Sequence, residues 1–94
     1  MKGFGENEIK KKIDKGKIRV KKEELINHAY NLHKKGYIEE AIKLYQICID
    51  NNLKDSNIYC NYGVICKQRN QINKAIELYR QSIKINPNNP NAHS

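Results

Sequence analysis

Residues 38–49 read IEEAIKLYQICI, and residues 72–83 read INKAIELYRQSI. The two stretches align without a gap at an offset of 34 residues. The alignment pairs Ile38 with Ile72, Ala41 with Ala75 and Ile42 with Ile76. It also pairs Leu44 with Leu78, Tyr45 with Tyr79 and Ile49 with Ile83. Isoleucine and asparagine are common in this chain, so single matches mean little. An ungapped A-I-x-L-Y-x-x-x-I is another matter, and it marks an internal repeat. Extended outward, residues 22–55 align with 56–89, which adds Asn27 with Asn61 and Asn52 with Asn86.

Inside each unit the apolar residues recur at helical steps. Ile38, Ala41, Ile42, Tyr45, Cys48 and Ile49 fall three or four apart, and Ile72, Ala75, Ile76, Tyr79 and Ile83 repeat the stripe. The segments before them also carry one apolar face each: Leu25, Ala29 and Leu32, then Tyr59, Tyr62, Gly63 and Cys66. Local chemistry sets the boundaries. Gly36 suits the left-handed residue that closes a helix, and Asn70 stands at the matching place in the second unit. Asp55 or Ser56 supplies an N-cap. Pro87 stops the last helix, and the residue before it is biased away from helix. The spacing predicts helices over 22–35, 38–51, 56–69 and 72–85. The expected fold is all-α: an α-solenoid of two helix-turn-helix repeats, each an antiparallel helix hairpin.

The rest of the chain frames these units. Residues 1–22 hold nine Lys/Arg and three Asp/Glu, a net of +6, whereas residues 23–94 carry nine and seven, a net of +2. Residues 1–21 are therefore expected to be a basic flexible tail, disordered or weakly helical, interrupted by Gly3, Gly5 and Gly16. Residues 22–55 and 56–89 are the two repeats. Residues 90–94, PNAHS, look like the start of a truncated third. No apolar run approaches the ~18 residues of a membrane-spanning helix. The lysines near the N-terminus are not followed by the apolar stretch of a secretory signal, so the expected location is cytoplasmic. Cys48, Cys60 and Cys66 are an odd count and read as free thiols in a reducing compartment.

A 34-residue helix-turn-helix unit with small residues at set places resembles the tetratricopeptide repeat. Ala29 and Gly63 stand where that family has a small residue in mid first helix, and Ala41 and Ala75 where it has alanine early in the second. Tyr45 and Tyr79 match its large aromatic, Cys48 and Ser82 its second small residue, and Pro87 its closing proline. The first repeat departs from the pattern at Leu53, which replaces that proline, and at Leu25, where an early aromatic is usual; Tyr59 fits better. The opening MKGFGE with its lysines is similar to the start of tetratricopeptide proteins of marine cyanobacteria, in some of which repeats precede a catalytic domain such as a glycosyltransferase. A pentatricopeptide reading, with RNA as ligand, fits less well because its usual period is 35.

The resemblance implies a protein-interaction module or scaffold that binds another protein or peptide on the concave face formed by the first helices. Repeat alignment puts Asn27, Tyr30, His33 and Lys34, then Asn61, Val64, Lys67 and Gln68, on that face. It also implies close helix approach at the small residues, with tyrosines filling wider gaps between hairpins. The carboxylate-clamp subtype wants Lys and, four residues on, Asn; here Ile26 and Tyr30 stand there, which argues against capture of an acidic C-terminus. Two repeats leave the last helix uncapped, so self-association through that end is a further expectation.

Catalysis finds little purchase in this sequence. The cysteine and histidine spacings match no metal signature. Glu23–Glu24 and Glu39–Glu40 sit near helix starts, where negative charge suits the helix dipole. No cofactor is implied. Binding to nucleic acid or anionic membrane is confined to the basic tail, whose single aromatic, Phe4, gives bases little to stack on. The alternative from another class is the N-terminal fragment of a larger enzyme, for example a repeat-fused glycosyltransferase.

Overall fold

The structure is a computed structural model that describes residues 13–14, 17–18 and 21–89. The remaining residues expected to form the flexible tail, and the third-repeat start at 90–94, lie outside the described residues. Among the described residues four helices follow in order: α1 Lys22–Lys34, α2 Ile38–Asp50, α3 Ser56–Gln68 and α4 Ile72–Ile85. Helix α1 packs on α2 and α3 on α4, giving two helical hairpins. The chain divides into two compact units after Leu53, one for each hairpin.

Three of the four helices end in the same way. In each, a left-handed residue turns the chain so that two free amides bond back to the last turn. Gly36, at φ +91°, closes α1: its N–H donates to His33 O at 3.1 Å and Tyr37 N–H to Leu32 O at 2.9 Å. Asn70, at φ 62°, closes α3, with Gln71 N–H on Cys66 O at 2.8 Å. Asn52, at φ 61°, closes α2, with Leu53 N–H on Cys48 O at 3.0 Å, a role the repeat alignment does not single out. Helix α4 is the exception. Its cap residue Asn86 is extended, at φ −140° and ψ 94°, because Pro87 follows it. Proline also lacks the N–H and the positive φ that the motif needs. The N-cap of α3 is Asp55, whose side chain accepts from Asn57 N–H at 2.9 Å.

The first hairpin buries Leu25 and Ala29 of α1 against Ala41, Leu44, Tyr45 and Cys48 of α2. The second buries Ile58, Cys60, Tyr62, Gly63, Ile65 and Cys66 of α3 with Ala75, Leu78 and Ser82 of α4. The small residues do what close packing requires. A Cβ added at Gly63 would stand 3.0 Å from Tyr79 Cε1 and 3.1 Å from its Cδ1. The Tyr79 ring thus lies on Gly63 within the second hairpin. Ser82, fully buried, donates its hydroxyl to Ser56 O at 2.8 Å. Asn89, beyond α4, is also buried, and its amide donates to Ser56 Oγ at 2.8 Å and Asn57 Oδ1 at 3.2 Å. These bonds tie the end of the second repeat to its start and satisfy polar atoms that burial would otherwise penalise.

Ahead of the helices, β1 (Ile13–Asp14) and β2 (Lys17–Ile18) pair antiparallel, with Ile13 opposite Ile18 and Asp14 opposite Lys17. At these four residues the expectation of a disordered or weakly helical tail is corrected. Isoleucine favours strand, and Ile13 and Ile18 stand opposite each other.

Candidate functional site

The residues assigned to the partner face fall on α1 and α3, the first helix of each hairpin. On α1, Asn27, Tyr30 and Lys34 follow at three and four residues, so they share one face, and all three are exposed. The Lys34 ammonium lies 5.4 Å from the centre of the Tyr30 ring, within cation–π reach. His33 meets Tyr30 edge-on, with ring centres 6.4 Å apart. His33 is half-buried, and its Nδ1 is buried without a hydrogen-bond partner. The α1 stripe thus offers an amide, an aromatic ring and an ammonium at one-turn steps.

The equivalent residues of α3 are less open. Asn61 and Val64 are half-buried, whereas Lys67 and Gln68 are exposed. Asn27 and Asn61 share a repeat position but differ in exposure, and so do Tyr30 and Val64. Of the charged residues on the second helices, Lys43 and Glu77 are both exposed.

Sequence reasoning missed one polar pair in the second hairpin. Lys74 Nζ donates to Tyr62 OH at 2.9 Å and stands 4.9 Å from that ring's centre. The bond to Tyr62 raises the Lys74 pKa above its ordinary value, against a smaller lowering by burial. Twelve residues separate the pair, and neither residue belongs to a motif, so no sequence signal announces it.

The cysteines behave as core residues. All three are buried, and none forms a disulfide among the described residues. Burial pushes the Cys60 thiol up, and it pushes Cys66 up despite the opposing pull of Lys74 and Arg69. A raised thiol pKa keeps the sulfur protonated and unreactive near neutral pH. Burial likewise raises Tyr79, with Cys60 and Cys66 adding to it. Among the described residues no group of three His, Cys, Asp or Glu is placed to hold a metal ion. No helix among them is long and apolar enough to cross a membrane.

Paired helices of this length, closed by the same turn at a 34-residue spacing and packed through Ala29, Ala41, Gly63 and Ala75, define the repeat unit. A sequence model of the tetratricopeptide repeat matches residues 23–49, and one described as TPR repeat matches residues 63–94. The chain carries tetratricopeptide repeats. The two matches fall on the two hairpins, the second running from mid α3 through α4 and beyond. Both describe a repeat that generally serves protein–protein interaction and is typically non-catalytic. No curated protein and no solved structure matches the chain.

Proposed function

We propose that the tetratricopeptide repeats of this chain bind an extended peptide or a partner helix through the first helix of each repeat, the face that such arrays make concave. The observation that carries this reading is the exposed row Asn27, Tyr30 and Lys34 on α1. An asparagine amide both donates and accepts, so it can pair with a peptide backbone whatever the peptide's sequence. The Tyr30 ring gives apolar contact beside it, and Lys34 favours an acidic residue in the ligand. His33 borders the row. Asn61, Val64, Lys67 and Gln68 hold the equivalent repeat positions on α3, with Asn61 reached less easily because it is half-buried. The likeness of the opening residues to cyanobacterial proteins, and with it the fused-enzyme alternative, rests on the opening alone; the matched models begin at residue 23.

The test is the double variant Asn27→Ala/Asn61→Ala, titrated against a partner recovered by affinity purification. Each lost hydrogen bond is worth about 0.5–1.5 kcal/mol, so losing both should lower affinity about 5- to 150-fold, with helicity by circular dichroism unchanged. Unchanged affinity, with loss on substituting Lys43 and Glu77, would move the site to the second helices.

A further inference from the structure

Helix α4 leaves an apolar stripe open. Ile72, Ile76, Tyr79 and Ile83 follow at four- and three-residue steps and stand one above another. Ile72 is 45% exposed and Ile76 44%, while Tyr79 and Ile83 are half-buried. The same repeat positions in α2 hold Ile38, Ile42, Tyr45 and Ile49. There Tyr45 is fully buried and the isoleucines are half-buried. Identical residue types at identical positions are thus covered more completely in the first repeat than in the second.

The two flanks of the α4 stripe differ. One is closed by the buried Ala75, Leu78 and Ser82, with Ser82 bonded to α3. The other carries Arg80 and Lys84, both exposed, at successive four-residue steps from Ile76. Glu77 is the single acid of α4. It lies a row further from the stripe, where it accepts from Gln81 Nε2 at 3.2 Å.

We propose that this stripe docks an amphipathic helix from a partner protein, one whose apolar row is bordered by Asp or Glu on the side that meets Arg80 and Lys84. This surface is separate from the first-helix rows and does not depend on them. Charge selects the occupant. Consider a second copy that lays its α4 antiparallel on the stripe. A two-fold axis then brings both Arg80–Lys84 rows to one side of the interface. These cations would sit within the Debye length of about 10 Å at 0.1 M salt. An acid-bordered helix pairs those cations instead. The apolar anchor is four side chains, two of them already half-buried. That is short of the ~800 Å² per partner of a standard stable interface, so the complex is reversible and charge sets its specificity.

The probe is a synthetic helical peptide with leucines at three- and four-residue steps and glutamates along one flank. It is titrated into the full chain by fluorescence anisotropy at about 0.1 M salt, beside a twin with lysines in place of the glutamates. The glutamate peptide is expected to bind at least about tenfold more tightly than the twin. Arg80→Glu/Lys84→Glu is expected to invert that order, and Ile76→Asp to abolish binding of the glutamate peptide. Ile76 is exposed, so that variant should retain its circular dichroism; if it does not, the charge-reversal variant carries the test. Asn27→Ala/Asn61→Ala should leave the peptide affinity unchanged, and a loss there would place the peptide on the first helices and overturn the inference. Equal binding of the two peptides would overturn it too. So would an order that survives charge reversal, or sedimentation showing a dimer that Ile76→Asp disrupts.

Discussion

Gly63 and Tyr79 show how one residue can decide a packing distance. Alanine in mid-helix is worth about 1 kcal/mol more than glycine by intrinsic propensity, so Gly63→Ala should stabilise α3 if nothing intervened. The Tyr79 ring intervenes, at 3.0–3.3 Å from where the new Cβ would stand. Overpacking of this kind costs about 1–3 kcal/mol. The expected net effect in urea unfolding is a loss of about 1 kcal/mol. In a Tyr79→Leu background the same substitution should turn neutral or stabilising, because the ring that it strikes is gone. A double-mutant cycle measures the difference, and a coupling of at least about 1 kcal/mol is expected. If Gly63→Ala stabilises the otherwise unaltered chain, the ring contact is not what requires glycine there.

At the scale of elements, helix ends follow from short-range chemistry. Gly36, Asn52 and Asn70 all adopt positive φ to close their helices. Gly36 differs from Gly63 in one respect: an added Cβ would meet nothing within 4 Å. The cost of Gly36→Ala should therefore be purely conformational, about 1 kcal/mol. Gly36→Asn should cost less, since asparagine already serves at the ends of α2 and α3. Thermal or urea melts of the two variants check this, and equal losses would show that backbone strain is not the cause. Helix α4 cannot close this way, and its end is held by side chains instead, through Asn89 on Ser56 and Asn57. That substitution of tertiary bonds for a local cap is a consequence of Pro87.

At the scale of the whole molecule, charge separates from fold. Residues 1–21 hold eight Lys/Arg and three Asp/Glu, so deleting them removes a net of five positive charges. Association with nucleic acid or anionic vesicles is expected to fall on that deletion and to weaken steeply as salt rises. A salt titration of the full and shortened chains checks this; binding unchanged by the deletion would rule out the tail as its source. Residues 23–94 carry a net of only +2, so the deletion leaves little of the chain's basic charge behind.

Within residues 21–89, local reading of the sequence found each helix, nearly its bounds, and the repeat that the helices form. The expected ends at 35, 51 and 69 fall one residue beyond those observed, and 72–85 coincides with α4. Helical period, caps and proline breaks act over about four residues, so one chain read locally suffices, and the 34-residue offset supplied a second reading of each position. The proposed rows on α1 and α3 were chosen by the same repeat frame. Exposure along those rows was decided by the tertiary structure. Asn27 and Asn61, or Ile42 and Ile76, are identical in the repeat frame and differ in burial because burial depends on what the rest of the chain brings against them. The Lys74–Tyr62 bond, the ring of Tyr79 on Gly63 and the Ser56–Ser82–Asn89 cluster belong to the same class. Each joins residues at least a dozen positions apart, a distance at which periodicity and capping carry no information.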